Sequence, residues 1–482
     1  MPAKKVVKTT SLEEQDYYHG LLPREDLTSL LKEDGDFLIR TADAVADPRV
    51  KQVVVSIRCA PPPSKDKPAT TTSSSSSEEA DIKNLIVQAK GKEFFLETKA
   101  FKSIVELVKF YVDSKTPVIS GTEVILKRPI AHQSWELRFM DITLKDKLGS
   151  GAFGDVHRGL MNISGRKHPV AVKVARGDKL DKEKAREIMK EARVMRKFHH
   201  PNVVKMFGVM VEQEPFMLVM ELVNGPSLDK YLKDNIGNVS DHDKIHKMCA
   251  ATAYGLEYLH SVKVIHRDIA ARNLLYDLTS TLKITDFGLS KEGETYQMHT
   301  TRMLPVRWLS PETMETGIYT TKSDVYSYGV VVFEIFSDGF EPFMGMNNLE
   351  IQKMVLSGGR LEMPPLCPEE LGEAIRLGAW SQKPAKRWMM SKFVEFFEKE
   401  YKTVAPQVTP KKEATQAQVK KNSSQMSMSG ETLDEGATDR KASSLVPKKA
   451  VPKAAKPKKT RGPEKKGISK KSKKSQLDKS TN

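Results

Sequence analysis

Cysteine is scarce: Cys59, Cys249 and Cys367 are the only three in 482 residues. They are too few and too scattered for a disulfide framework and lack the paired spacing of a zinc site. Three small, mostly buried side chains in a reducing compartment are expected. Long apolar runs are missing as well, and no stretch approaches the roughly 20 residues that a membrane-spanning helix needs. Lysines at 4, 5 and 8 are not followed by the apolar segment of a secretory signal, and Pro2 stands where N-myristoylation would need glycine. Aromatic residues make up 7% of the chain and are absent beyond residue 402. There Lys, Pro, Ser and Ala prevail, and after Lys441 only Glu464 and Asp478 oppose the lysines. Such a tail cannot bury enough apolar surface to offset its ordering entropy, so it is expected to be disordered and basic. It carries much of the net charge of +16 and leaves the rest of the chain closer to neutral. A weakly held anionic membrane surface, nucleic acid or an acidic protein would fit that charge, and so would a solvated run with no partner.

The remaining length exceeds one ordinary core and divides into two folded units. The expected boundaries are a disordered lead over 1–15, a small mixed domain over 16–130, a linker over 131–141, a larger domain over 142–402 and the tail over 403–482. In the first domain, a helix is predicted near 24–32, strands over 52–58 and 81–87, and an amphipathic helix near 101–113. The last rests on Ile104, Leu107, Val108 and Tyr111, spaced i, i+3, i+4, i+7. A Pro61–Pro63 run and a Thr/Ser tract between the strands predict a flexible loop. The second domain begins with strand-like alternation to residue 174, turns helical from about 179 to 197 and is helical thereafter.

The segment Leu148, Gly149, Ser150, Gly151, Ala152, Phe153, Gly154, Asp155, Val156 places three glycines between two β-type runs. Backbone amides there can close over phosphate oxygens. Alone, this pattern fits dinucleotide-binding folds or a plain glycine-rich turn equally well. It is followed by an apolar strand ending in Lys173, a helix carrying Glu191, then His266-Arg267-Asp268, Asn273, Asp286-Phe287-Gly288 and Ser310-Pro311-Glu312. In that order and spacing the set resembles the protein kinases over 141–402. The resemblance implies ATP and Mg2+ as cofactors and assigns roles. Lys173 would meet the nucleotide phosphates and pair with Glu191, Asp268 would accept the substrate hydroxyl proton, and Asn273 and Asp286 would hold magnesium. The glycine-rich segment, Ala171, Met220 as gatekeeper, Glu221 and Val223 of the hinge, and Leu275 would line the nucleotide site. Glu312 is expected to pair with Arg387 inside the helical lobe, and Met195, Phe287 and His266 to form an apolar spine. A pseudokinase adaptor is the rival reading, disfavoured because each residue the chemistry needs is present.

Ala270 stands where serine/threonine kinases carry a lysine, and Arg272 follows two residues later. With Pro305–Trp308 this resembles the tyrosine kinases, in which that arginine takes over contacts near the catalytic aspartate. Tyr17-Tyr18-His19-Gly20, Arg24 and Phe37-Leu38-Ile39-Arg40 resemble the opening of an SH2 domain, with a final strand over 121–126. Arg40, aided by Arg24, would grip a phosphotyrosine phosphate, although Ala42 and Asn84 replace the usual serine and histidine. The fold class implied is α+β: an SH2 domain, a bilobal kinase domain and a disordered basic tail. The order of domains is most similar to the Fes/Fer group of cytoplasmic tyrosine kinases, without their N-terminal membrane-binding region. Expected partners are tyrosine-bearing proteins and phosphotyrosine peptides; the expected location is the cytoplasm, peripheral at membranes if the tail binds them. Tyr296, nine residues before Pro305, is the candidate autophosphorylation site.

Overall fold

The computed structural model describes residues 11–44, 47, 50–59, 81–151, 154–163, 165–175, 182–277, 279–298 and 305–407. The chain divides into units 1–411 and 412–482, and all described residues lie in the first. The expectations for 1–10, for the serine-rich loop over 60–80, for Ala152 and Phe153, and for the tail beyond 407 fall outside the described residues. Both expected disordered boundaries move outward. Leu12–Glu14 forms one 3-10 turn, closed by the Ser11 N–H donating to the Glu14 carboxylate at 3.2 Å. At the other end Thr403 is buried, with its hydroxyl 2.6 Å from that of Tyr254.

In the N-terminal domain, strands β1 (Asp36–Asp43), β2 (Lys51–Arg58) and β3 (Ile82–Ile86) pair antiparallel. Strands β4 (Gln88–Lys90), β5 (Glu93–Leu96) and β6 (Lys99–Phe101) form a separate meander, and β7 (Arg128–Pro129) joins β1 in parallel. Period-two alternation sends Phe37 and Ile39 of β1, with Val55 and Ile57 of β2, against Leu107, Val108 and Tyr111 of helix α1 (Ile104–Ser114). Each such side chain contributes about 1.5–3 kcal/mol on burial. Ser103 caps α1, its hydroxyl accepting from the Glu106 N–H at 3.1 Å. The opposite face of β1 presents Leu38 and Arg40.

Two local expectations are corrected. The helix near 24–32 is only a 3-10 turn, Arg24–Asp26, and a single α-turn, Leu27–Leu30. No strand forms over 121–126: Val124 and Leu126 are buried with period two, but the backbone pairs with β1 only at Arg128–Pro129.

The larger domain opens with a five-stranded antiparallel sheet: β8 (Ile142–Gly151), β9 (Gly154–Ile163), β10 (Arg166–Val174), β11 (Met206–Met210) and β12 (Met217–Glu221), in the order β11-β12-β10-β9-β8. Helix α2 (Lys182–Met195) packs beside it through the buried Ile188, Met189, Ala192 and Met195. The helical lobe follows, built around α3 (Ala250–Ser261) and α4 (Thr321–Phe336). Arg387, its side chain fully buried, pairs with Glu312 through two bonds of 2.7 Å. Burial alone would raise the Glu312 carboxyl, but Arg387 holds it below the usual carboxylate range.

The two domains pack directly. Gly20 turns with φ +55°, and a Cβ there would sit 2.5 Å from the Glu212 Cα, so close backbone approach requires glycine. Next to it the Leu21 N–H donates to the Val211 carbonyl at 2.7 Å. Linker residues Trp135 and Leu137 exchange hydrogen bonds of 2.8 Å with Val209. Buried His19 joins Glu136 at 2.7 Å and the Ile130 carbonyl at 2.9 Å through its two ring nitrogens. His132 comes close enough to complete a metal-like trio, but both His19 nitrogens are already engaged, so the cluster is a hydrogen-bonded clasp.

Candidate active site

Lys173 owes its position to strand alternation. Val170 and Val172 of β10 enter the outer apolar cluster, so Ala171 and Lys173 face inward toward α2. Its ammonium lies 2.9 and 2.7 Å from the two Glu191 oxygens and 3.6 Å from Asp286 Oδ1. Burial alone would lower the Lys173 ammonium, but Glu191 and Asp286 raise it above its ordinary value and keep it charged. Met195, one turn beyond Glu191, is buried near Phe198, whose ring lies 4.8 Å from Phe287; Phe287 in turn meets His266 at 5.1 Å.

The loop His266–Asn273 is held from below by Asp324 of α4. Its carboxylate accepts the backbone N–H groups of His266 and Arg267, each at 2.8 Å, and lies 3.1 Å from His260. Asp268 then faces two donors: Arg272 reaches one carboxylate oxygen at 2.5 Å and the Asn273 amide the other at 2.7 Å. Arg272 also stacks 4.2 Å over the Trp308 ring. Asp286 has left-handed dihedrals, φ 61° and ψ 73°, which aim its carboxylate back toward Lys173. Its Oδ1 is buried, faces the Lys173 ammonium at 3.6 Å and has no closer hydrogen-bond donor among the described residues, an arrangement that suits a cation. Asn273 donates through Nδ2, so its carbonyl oxygen is the atom left to meet the same ion. One carboxylate and one amide oxygen suit Mg2+, which keeps several waters and binds through few protein groups.

The glycine-rich turn joins β8 to β9. Gly154 has φ +149°, and a Cβ would lie 2.2 Å from the Val174 carbonyl oxygen, so no other residue fits against the strand that carries Lys173. Gly149, Ser150 and Gly151 pair with Val156, Asp155 and Gly154, and half-exposed Leu148 precedes them. Buried Ala171 and Met220 are cross-strand partners, Glu221 follows at the end of β12, and Val223 is partly buried behind it. Leu275 bridges to Ser227. Lys173 of the sheet thus meets Asp286 of the helical lobe at 3.6 Å, and Asp268 and Asn273 meet each other at 2.7 Å.

The profile of the protein tyrosine and serine/threonine kinase family matches residues 142–397. The chain belongs to that family. Protein kinases generally use ATP and Mg2+. Fer-related kinase 1 of Caenorhabditis elegans is 34% identical over 396 residues, 81% of this chain and 96% of that protein. Tyrosine-protein kinase Fer of Mus musculus is 33% identical over 379 residues, 78% of this chain but 42% of Fer. Spermatocyte protein spe-8 of Caenorhabditis elegans is 37% identical over 352 residues, 72% of this chain and 64% of that protein. The chain thus spans nearly all of one relative and less than half of another. The kinship with Fer and Fer-related kinase 1 supports protein-tyrosine kinase activity. No helix among the described residues is long and apolar enough to cross a membrane.

Outside the kinase domain, Arg40 forms a second candidate site. It is 7% exposed and donates to Ser56 Oγ at 3.0 Å, Asn84 Oδ1 at 3.0 Å and, more weakly, the Leu22 carbonyl at 3.4 Å. Burial, with Arg24 nearby, lowers the Arg40 guanidinium from its ordinary value, so an incoming anion would relieve the site. Arg24 itself is exposed, and Ala42 pairs with Gln52 farther along β1.

Two buried carboxylates have roles that the sequence did not reveal. Nothing in the sequence around Asp324 shows that its carboxylate anchors a loop 57 residues away. Asp26, 1% exposed, accepts from Arg193 at 2.9 and 3.0 Å and from Arg196 at 3.1 Å. Arg196 also stacks 4.2 Å over the linker Trp135. The N-terminal domain and linker therefore grip α2, the helix that supplies Glu191, and its C-terminal extension. Asp26→Ala should weaken this docking by about 2 kcal/mol or more. Hydrogen exchange should show faster opening of α2, with a lower kcat on a soluble peptide; protection equal to wild type would mean that the lobe holds α2 unaided.

Proposed function

We propose that this chain is a non-receptor protein tyrosine kinase that transfers the γ-phosphate of ATP to tyrosine hydroxyls of protein substrates. The observation that carries the reading is Arg272, which bonds Asp268 while lying flat on Trp308. This leaves a floor below the base set by an indole and a guanidinium, and a phenol reaches over such a floor more readily than a short serine does. In the proposed mechanism Lys173, fixed by Glu191, orients the α- and β-phosphates. Asp268 accepts the tyrosine proton, and Arg272 and Asn273 hold its carboxylate in line. Asn273 and Asp286 would hold magnesium, which would supply neutralisation of the phosphate charge. Incubation with ATP, Mg2+ and poly(Glu,Tyr) should give labelled polymer, whereas a pseudokinase adaptor would give none.

The N-terminal domain is proposed to be an SH2 module that binds phosphotyrosine peptides through Arg40, with Arg24 at the rim. Its grip on α2 supports a role in holding Glu191 in place. A cytoplasmic location fits the free thiols, and the basic tail is proposed to add weak, salt-sensitive binding to anionic membrane or acidic partners.

Tyr296 is proposed as the activating autophosphorylation site. Its ring lies 4.1 Å from the Arg267 guanidinium and 5.5 Å from the Lys291 ammonium, and among the described residues Arg267 Nε is buried without an acceptor. A phosphate at this position would supply that acceptor and nearly two negative charges. Tyr296→Phe is therefore expected to slow turnover several-fold and to remove the lag of an autophosphorylation time course. Mass spectrometry finding Tyr296 unmodified in fully active enzyme would contradict this.

A further inference from the structure

Glu334 lies near the end of α4 and is 3% exposed. Its Oε2 accepts two hydrogen bonds, from the Ala271 backbone N–H at 2.9 Å and from the Trp308 indole N–H at 3.0 Å. The first donor belongs to the catalytic loop and the second to the segment Val306–Trp308. Trp308 carries the Arg272 guanidinium on its ring at 4.2 Å, and Arg272 bonds Asp268. One carboxylate oxygen thus ties together the two stretches of chain that hold the base and the floor beneath it. An ionised oxygen holds two N–H donors more strongly than an amide oxygen would, and the carboxylate adds attraction for the Arg272 cation above the indole.

We propose that Glu334 is a positioning residue for phosphoryl transfer, holding Trp308 and Ala271 so that Arg272 keeps Asp268 in line with the acceptor hydroxyl. This rests on the kinase reading of the site. Burial raises the Glu334 carboxyl to about 7; Trp308, Ala271 and Arg272 pull it back, and Asp229 pushes it further up. These are the groups that act on it, with Asp268 beyond Arg272. Above about pH 7 Glu334 is ionised and both bonds are charge-assisted. Below that pH it takes a proton and they weaken, so an acid limb near 7 is expected in kcat.

The test measures kcat and KM for ATP and for a tyrosine peptide from pH 5.5 to 9, using wild type, Glu334→Gln, Trp308→Phe and the double variant. Glutamine keeps the volume and one acceptor oxygen but does not titrate; phenylalanine keeps the stacking surface but loses the N–H. Glu334→Gln should lower kcat about tenfold to a hundredfold at pH 8 and flatten the acid limb, leaving calorimetric ATP affinity within about twofold. The double variant should be little worse than the weaker single variant, because the two changes break one linkage. A Glu334→Gln enzyme with wild-type kcat and the same acid limb would overturn the proposal. So would a fall in ATP affinity in step with kcat, which marks a merely structural role. Absence of transfer by wild type would instead sink the kinase reading itself.

Discussion

Asp268→Asn is expected to lower kcat by about 10³-fold or more while ATP affinity stays within about twofold. The substitution preserves volume but removes the carboxylate proposed to take the acceptor proton. It has a second effect that follows from geometry. Both Asp268 oxygens accept hydrogen bonds, one from Arg272 and one from Asn273, and an asparagine has only one oxygen to offer. One of the two donors must lose its partner, so the melting temperature should drop by a few degrees without loss of the fold. Steady-state kinetics and calorimetry separate the effects. More than a few per cent of wild-type turnover would show that Asp268 is not the proton acceptor.

Arg40→Lys is expected to weaken phosphotyrosine-peptide binding at least a hundredfold. The guanidinium is already spread between Ser56, Asn84 and the Leu22 carbonyl, so its plane is fixed before any ligand arrives. The Leu22 contact, at 3.4 Å, is the weakest of the three and the first that a phosphate would displace. A lysine has one ammonium and cannot span Ser56 and Asn84 while gripping two phosphate oxygens. With Ala42 in place of a hydroxyl, little else in the pocket compensates. Titration calorimetry with a phosphotyrosine peptide reads this directly. Unchanged affinity would mean that the N-terminal domain does not read phosphotyrosine through Arg40, and its role would then rest on the grip of Asp26 on the catalytic domain.

The parts of this architecture that were legible in the sequence are those encoded by neighbours. Alternation in 170–173 puts Lys173 on the inner face, the i, i+4 pair Glu191 and Met195 shares one side of α2, and Ile104, Leu107, Val108 and Tyr111 mark the buried stripe of α1. The family motifs also name the cleft residues, because their chemistry constrains short stretches tightly. What stayed hidden acts across long separations. Asp26 meets Arg193 and Arg196 at 167 and 170 residues' distance, and Glu334 meets Ala271 across 63. An acidic residue on a helix reads as solvated until tertiary packing supplies its donors. The stretch 121–126 misled for the converse reason: Val124 and Leu126 alternate into the core as a strand would, but the one bond that Val124 accepts, from the Val118 N–H at 2.8 Å, stays within the loop and no ladder forms. Burial periodicity and hydrogen-bonded pairing are separate conditions, and only the first is written in the residues.

The central assignment is the acceptor, a tyrosine hydroxyl activated by Asp268. The most direct measurement offers the enzyme, with ATP and Mg2+, three peptides identical except for tyrosine, serine or threonine at one position, and analyses the labelled phosphoamino acids. Phosphotyrosine alone is expected from wild type, and none from Asp268→Asn. Phosphoserine or phosphothreonine at comparable rates, or no transfer to any peptide, would contradict it.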